Sequence, residues 1–411
     1  MSEVITFGCR LNFYESEIIK SNLEKAQLND VVVVHSCAVT NEAERQVRSK
    51  IRKLYNNNAN IKIIVAGCAA QLNPELYVNM PGVMKVLGNQ DKLKYENYVS
   101  DAKVIVGNID ESERVKNDVV KKFSGRSRAL IEIQNGCNHE CTFCVITKAR
   151  GKNRSLSIED IINQVRHCVD YGYNEVVFTG VDISDFGLDI YGQRTLGIMI
   201  KRVLSAVPQL CRLRLSSIDL AEIEDDLIDI IVNEPRFMPH LHLSLQSGSN
   251  LILKRMKRRH SREKVIEFCN KISEQRKEVA FGADIIVGFP TETEEMFNDT
   301  VKLIEEANIS YLHIFPYSRR EGTPAARMPQ VSQEIKKRRV KLLCEIAKER
   351  LSNFYNTLLY TKQSIVVEKS GVGRAENFAL VKFVNKDVQL QSIVEVEIKK
   401  VESNYLIAEV I

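Results

Sequence analysis

The stretch Gln134-Asn135-Gly136-Cys137-Asn138-His139-Glu140-Cys141-Thr142-Phe143-Cys144 carries three cysteines spaced C-x3-C-x2-C, with Gly136 before the first and Phe143 before the third. Three thiolates this close in one loop match three corners of an iron–sulfur cube. No fourth cysteine lies nearby, which leaves one iron open to another ligand. A structural zinc site is the competing reading, but zinc takes four protein ligands in paired spacings, and His139 completes such a set only with awkward geometry. The odd number of cysteines argues against disulfides. The run in front of the loop, Ala129–Gln134, is strand-like, so the loop follows a β-strand.

Downstream the same rhythm repeats. Candidate strands are Glu175–Thr179, Arg212–Ser216, His240–Leu245, Ala283–Val287 and Tyr311–Phe315. Amphipathic helical patterns stand between them at Ser157–Tyr171, Leu196–Ala206, Glu222–Val232, Ser261–Arg276 and Thr293–Glu306. Six βα-type units predict a partial (β/α)6 barrel of parallel strands. Polar or glycine-containing residues follow each apolar run, as in Thr179-Gly180, Ser216-Ser217 and Ser244-Leu245-Gln246. Active sites of such barrels lie at that end, and the cysteine loop is itself the loop after the first strand.

Upstream, Val4–Phe7, Val31–Val34 and Ile61–Ala66 read as strands, and Asn12–Leu28 and Asn41–Tyr55 as helices. This predicts an open parallel α/β domain. Each run leads into a cysteine: Gly8-Cys9, Ser36-Cys37 and Gly67-Cys68. The carboxyl ends of parallel strands share one edge, where ligands bind, so these distant cysteines can converge on a second three-thiolate site. The alternative is three ordinary buried cysteines. Residues 83–128 read as the end of this domain and a polar connector, giving domains at 1–115, 123–355 and 356–411. Glu334–Thr357 is a long basic helical pattern. Beyond it, Ser364–Glu368, Ala379–Phe383, Ile393–Ile398 and Tyr405–Val410 are short β-type runs, with Ser370-Gly371-Val372-Gly373 as a turn, and predict a small antiparallel β-barrel.

At 411 residues the chain accommodates two or three domains, and its net charge of +5 permits a nucleic-acid partner without requiring one. No run is apolar for long enough to span a membrane, and Met1–Phe7 lacks a signal-peptide pattern. Ten cysteines without export point to metal or redox chemistry in a reducing cytoplasm.

With these residues in place, the chain resembles the methylthiotransferase family of radical S-adenosylmethionine (SAM) enzymes over essentially its whole length. Further matching stretches are Leu243–Ser249, Asp284–Pro290, Phe315–Ser318 and Gly322–Ala326. Phe7-Gly8-Cys9-Arg10-Leu11-Asn12 and Cys37–Ala43 look most like the branch acting on threonylcarbamoyladenosine in tRNA. His35-Ser36 stands where that family more often has Asn-Thr, and Arg319 where it often has proline.

The resemblance implies an enzyme with two [4Fe-4S] clusters and SAM. Cys137, Cys141 and Cys144 would hold the cluster whose open iron chelates SAM, yielding a 5′-deoxyadenosyl radical. Cys9, Cys37 and Cys68 would hold an auxiliary cluster presenting the sulfur to be inserted. The substrate would be N6-threonylcarbamoyladenosine at position 37 in the tRNA anticodon stem-loop, converted to its 2-methylthio derivative. The alternatives are isopentenyladenosine of tRNA, an aspartate of a ribosomal protein, or a non-catalytic zinc-stabilised RNA-binding protein. Phe143, Thr179, Gly180, Ser216, Ser244 and Gln246 are candidate cofactor contacts, each with a structural role as the alternative. An electron donor and a sulfur donor are implied partners, and a monomer is expected. The last domain resembles a TRAM module, which implies RNA binding, although from Thr361 onward it carries equal numbers of basic and acidic side chains. Arg374, Phe378, Lys382 and Phe383 are its candidate RNA contacts. Lys254-Arg255-Met256-Lys257-Arg258-Arg259-His260 reads either as a phosphate-binding segment or as a solvated helix face. Cys168, Cys211, Cys269 and Cys344 are assigned to packing.

Overall fold

β-Branched runs become strands, and the helices between them begin at hydroxyl caps. The computed structural model describes residues 2–112, 120, 122–384 and 388–411. Thr40, Ser157, Ser261, Thr293 and Ser332 each accept a hydrogen bond from a backbone N–H of the first helical turn. Such caps satisfy donors that the turn otherwise leaves orphaned.

The amino-terminal sheet is parallel, in the order β1 (Glu3–Thr6), β2 (Val31–Ser36), β3 (Lys62–Gly67), β4 (Val83–Leu87), β5 (Val104–Ile105). The first three strands are the expected ones. β4 and β5 fall where the sequence reads as a connector, because β5 has only two residues and shows no period. Helix α1 (Arg10–Lys25) sets Ile19 and Leu23 on Val31, Val33 and Ile64. Helix α2 (Asn41–Asn57) sets Val47 and Ile51 on Val34, Ile63 and Val65, which point to the opposite face. The domain limit at 115 lies outside the described residues.

The central barrel contains β6 (Ala129–Glu132), β9 (Glu175–Thr179), β10 (Arg212–Leu215), β11 (Ser217–Ile218), β12 (His240–Gln246), β13 (Ala280–Val287) and β14 (Ile309–Pro316), with a short hairpin of β7 (Gln134–Asn135) and β8 (Arg154–Ser155). The strands run parallel in two arcs, β10-β9-β6 and β11-β12-β13-β14. β10 and β11 are one strand broken at Ser216, so the arcs make the expected six-stranded partial barrel. The expected first strand is cut after Glu132: Gln134 turns away to pair with Ser155. Helix Asp225–Asn233 starts later than expected because Leu220–Glu222 forms a separate tight turn.

Register places Leu130, Val177 and Arg214 side by side, with Glu132 and Thr179 two residues further along. Arg214 from one arc and His240 from the other meet on the same ring, Phe378, so this face is the barrel interior. Helix α1 closes the β6 side: its Leu11, Tyr14 and Ile18 belong to the barrel's core with Ala129 and Ile131.

The carboxy-terminal domain is a closed barrel of β15 (Lys362–Lys369), β16 (Val372–Ala375), β17 (Leu380–Phe383), β18 (Ile393–Val401) and β19 (Leu406–Val410). Val372 and Gly373 belong to a strand rather than to the expected turn. Four of the five pairings are antiparallel and the fifth, β17 with β19, is parallel. The long helix Gln333–Thr357 runs into this barrel, where Tyr355 joins its core. The small barrel docks near the starts of the central strands: Arg214 donates to the carbonyls of Ala375 at 2.9 Å and Glu376 at 2.6 Å, and Tyr311 to that of Asn377 at 3.2 Å. No helix among the described residues is long and apolar enough to cross a membrane.

Candidate active site

The cysteine loop is held by its backbone before any metal is considered. Gly136 has φ +75, and a Cβ there would sit 1.8 Å from the Lys152 carbonyl oxygen, so only glycine fits. Cys137 N–H donates to the Gly151 carbonyl at 3.0 Å, and Thr142 is pinned by the carbonyls of Met256 (3.2 Å) and Arg255 (2.8 Å). Each of the three sulfurs then meets a nitrogen donor. His139 N–H points at Cys137 Sγ (3.4 Å), Ile146 N–H at Cys144 Sγ (3.4 Å) and the Arg258 guanidinium at Cys141 Sγ (3.7 Å). Three neighbouring cysteines, each sulfur with a nitrogen donor, form a donor set suited to a cluster with one open iron. His139 is turned to carboxylates, with Nε2 at 2.8 Å from Asp182, 2.9 Å from Glu222 and 3.2 Å from Asp185. Burial opposes its charge, but these acids hold it up to about 11.

The strand-end trio is also brought together. Gly8 has φ +98, and a Cβ there would lie 2.8 Å from Cys37 Sγ; Gly67 has φ +101 and would strike the Ser36 carbonyl at 2.6 Å. Both glycines are therefore needed for the cysteine turns to approach one another. Ser36 Oγ donates to the Ala66 carbonyl (2.6 Å) and accepts from Ala69 and Ala70 N–H (3.2 and 3.3 Å), bracing the turn that presents Cys68. Cys9 is exposed, and Cys37 and Cys68 are buried. Burial, then the neighbouring Cys68, pushes the Cys37 thiol up to about 12; burial pushes Cys144 up to about 11. Metal binding at either trio must displace such protons.

One buried residue bonds residues that flank both trios. Arg150, six residues after Cys144, makes a bidentate pair with Glu15 at 2.8 Å and donates to Asn12 Oδ1 at 2.7 Å and Asn135 Oδ1 at 3.1 Å. Asn12 in turn holds the carbonyls of Phe7 (2.7 Å) and Ser36 (3.1 Å), beside Cys9 and Cys37. Glu15 also meets Lys92 at 3.2 Å and His35 at 3.5 Å. Burial opposes the charge of Glu15, but Arg150 and Lys92 keep its carboxyl well below the usual range. His35, where Asn is expected from the resemblance, is thus part of this network. The other departure, Arg319, offers its carbonyl to Asn41 Nδ2 at 2.9 Å, and Arg320 pairs with Glu44 of α2.

The candidate SAM contacts lie at the same end of the barrel. Thr179 closes β9, Ser216 breaks the third strand, and Ser244 and Gln246 end β12. Among the described residues, none of these four side chains makes a hydrogen bond. Gly180 is pressed on Gln134, whose Oε1 accepts from Val181 and Asp182 N–H at 3.0 and 2.8 Å. Phe143 packs edge-on against Phe289 at 6.3 Å, a core contact beside the loop.

Several expectations change. Arg258 is spent on Cys141, Asp219 and the Ser244 carbonyl, Arg259 on Asp219 and Glu222, and Arg255 on Thr291, while Lys254 and Lys257 of the same run stay exposed. Buried Met256 and His260 turn the run inward, which brings Arg258 to the loop at Cys141. Phe383 is core, and Phe378 stacks on His240 at 4.7 Å. Cys168 and Cys269 are buried, whereas Cys211 and Cys344 are exposed, one just before β10 and the other on the long helix. A cluster not singled out from sequence is His242, Asp284 and His313, with Asp284 Oδ1 at 2.9 and 3.2 Å from the two rings. Its signal is present in Arg212-Leu213-Arg214-Leu215 and His240-Leu241-His242-Leu243: polar residues alternating with leucine in a buried strand line an interior.

Residues 131–304 match the model of the Radical SAM superfamily, and residues 2–88 that of an uncharacterized protein family, UPF0004. The chain is 51% identical over 405 residues to the threonylcarbamoyladenosine tRNA methylthiotransferase MtaB of Rickettsia prowazekii, covering 98% of this chain and 96% of that one. It is 36% identical to the protein of the same name from Bacillus subtilis, covering 96% and 93%. A tRNA-2-methylthio-N(6)-dimethylallyladenosine synthase of Carboxydothermus hydrogenoformans is 31% identical, covering 96% of each. Among solved structures, the radical SAM methyltransferase TsrM of Kitasatospora setae superposes with a TM-score of 0.53 at 12% identity, over 79% of this chain and 76% of that one, a likeness of fold. The fold, the cysteine loop and these near full-length relatives together show that the chain belongs to the radical SAM methylthiotransferase family of enzymes and is most like its threonylcarbamoyladenosine branch.

Proposed function

We propose that this protein is a tRNA methylthiotransferase that converts N6-threonylcarbamoyladenosine at position 37 to its 2-methylthio derivative. The observation that carries the reading is the pair of cysteine trios joined through Arg150 and Asn12. Cys137, Cys141 and Cys144 hold the cluster that the radical SAM family implies, and Cys9, Cys37 and Cys68 hold a second one. When bound, these groups and SAM supply hydrogen abstraction from an unactivated C–H bond, a sulfur atom and a methyl group. The chain's own residues orient and enclose. Gly136, Gly8 and Gly67 allow the close turns, Arg258 neutralises the first site, and Arg150 fixes the second against it. Thr179, Ser216, Ser244 and Gln246 offer polar groups to SAM. The division at 1–115, 123–355 and 356–411 follows these roles, with the small barrel as a TRAM-like RNA-binding module.

Identity of 51% and 36% to relatives named for the threonylcarbamoyl substrate, against 31% for those named for dimethylallyladenosine, favours the former. Nucleoside analysis of tRNA from a deletion strain separates the two: loss of the methylthio group from threonylcarbamoyladenosine is expected, and its loss from the isopentenyl nucleoside instead would overturn the substrate. Reconstituted Cys9→Ala should keep SAM cleavage and lose sulfur insertion, whereas Cys141→Ala should lose both. Equal loss of cleavage in the two variants would deny separate roles.

A further inference from the structure

Inside the barrel, below the rim that carries Thr179 and Ser216, lies a cavity of about 220 Å³ lined by Arg10, Arg126, Arg128, Arg214, Glu368 and Phe378. All three parts of the chain contribute to it. Arg10 comes from the first turn of α1, next to Cys9; Arg126 and Arg128 precede β6; Arg214 is on β10; Glu368 and Phe378 belong to the small barrel. Four guanidinium groups face one carboxylate along this wall.

The partners of these cations are unequal. Arg214 is paired with buried Glu175 at 2.6 Å, and Arg128 with Glu368 at 2.6 Å. Arg126 lies over the Phe13 ring at 4.0 Å. The guanidinium of Arg10 makes no hydrogen bond or ion pair among the described residues. Arg128, Arg214 and Arg374 surround the Phe378 ring at 5.3, 5.3 and 4.4 Å; the nitrogens of Arg214 are already engaged, whereas Nη1 of Arg128 is buried without a hydrogen-bond partner. A desolvated cation with no counter-charge is costly, and a cavity walled by several of them is built to receive an anion.

Depth fits the same conclusion. Leu130, Val177 and Arg214 form a layer one pleat period below Glu132 and Thr179, about 7 Å deeper. An adenine held at the rim beside Cys9 would carry a substituent on its N6 within reach of this layer.

Resting on the threonylcarbamoyl reading above, we propose that this cavity binds the carboxylate of the substrate's amino-acid side chain, with Arg10 as its counter-charge and Arg126 as a second wall. Arg10 is then a specificity residue. A hydrocarbon N6 substituent entering the same space leaves the cation unpaired, so rejection is built into the same contact that gives recognition. The other anion that could reach these arginines is a backbone phosphate of the RNA, and the experiment distinguishes the two.

Reconstituted holoenzyme is titrated with anticodon stem-loop RNAs carrying at position 37 threonylcarbamoyladenosine, its carboxyl methyl ester, or plain adenosine. Wild type should bind the carboxylate RNA about thirty-fold more tightly than the other two. Arg10→Gln should lower affinity for the carboxylate RNA to that of the ester while leaving the plain RNA unaffected. Arg126→Gln, remote from the cysteines, should reduce the ratio in the same direction, and it stands in if Arg10→Gln loses iron. Equal weakening toward all three RNAs would assign the cavity to phosphate and overturn the proposal. Unchanged discrimination in both variants would overturn it as well. If wild type shows no preference for the carboxylate RNA and methylthiolates an isopentenyl substrate instead, the substrate reading itself fails.

Discussion

Glu132 shows how a single side chain at the rim can be tested without the cofactors. It closes β6, is buried, and donates no proton to any acceptor; its one contact is to Asn135 Nδ2 at 2.8 Å. Burial, then the nearby Glu15, raises its pKa from 4.5 to about 7. A carboxyl whose folded value is raised favours the folded state while it keeps its proton. That contribution is complete below pH 4.5 and lost as pH rises through about 7. Glu132→Gln should therefore be more stable than wild type at pH 8, by up to about 3 kcal/mol, and nearly equal to it at pH 4.5. Urea unfolding at the two pH values measures the difference; an equal offset at both would show that Glu132 does not titrate in this range. Cys137, Cys141 and Cys144 stand out at this scale because their spacing is local; Cys9, Cys37 and Cys68 stand out only through the strands they follow. Arg150, Glu15 and Lys92 were not, since nothing in one sequence says that three charged residues so far apart share a buried site.

At the scale of elements, the barrel was legible from its alternation of apolar runs and amphipathic helices, and its interior was not. Periodicity tells which face of a strand is buried; it does not tell that both faces are, with one of them polar. Glu175, at the start of β9, makes the point. Burial opposes its charge, but Arg214, then Arg128, hold its carboxyl below the usual range. Glu175→Gln leaves Arg214 and Arg212 buried without that charge. It should destabilise the protein by about 3–5 kcal/mol in urea unfolding, and loosen the small barrel, which Arg214 grips through Ala375 and Glu376. A loss under 1 kcal/mol would mean that backbone carbonyls alone satisfy these arginines. The two-residue β5 and the strand at Val372–Ala375 escaped the sequence reading for a plainer reason: both are too short to show alternation.

At the scale of the molecule, the amino-terminal domain holds the central barrel at two places. Near the first strand, Arg150 pairs with Glu15 of α1; beyond the last, Arg320 pairs with Glu44 of α2, and Asn41 N–H donates to Ser318 Oγ at 2.9 Å. Removing the first clasp with Arg150→Met leaves Glu15 to Lys92 and the His35 ring. It should cost about 3 kcal/mol and speed proteolysis between the two domains. With clusters at both trios, as proposed, the same variant should lose iron from the Cys9 site ahead of the Cys137 site, because Asn12 Oδ1 loses its guanidinium donor. Equal retention of iron at both would mean that the trios are organised independently.

The apolar stripe of α1 has a consequence for how the chain is made. Leu11, Tyr14 and Ile18 leave the ribosome more than a hundred residues before Ala129 and Ile131, the strand they pack against. During that interval of synthesis the stripe has Leu93 of its own domain but lacks Ala129 and Ile131, although the first sheet can already form. The amino-terminal domain is thus completed late, by a strand that belongs to its neighbour. A nascent-chain holdase acting on residues 11–18 would find its substrate there, and cutting the gene at the domain boundary would make that transient exposure permanent.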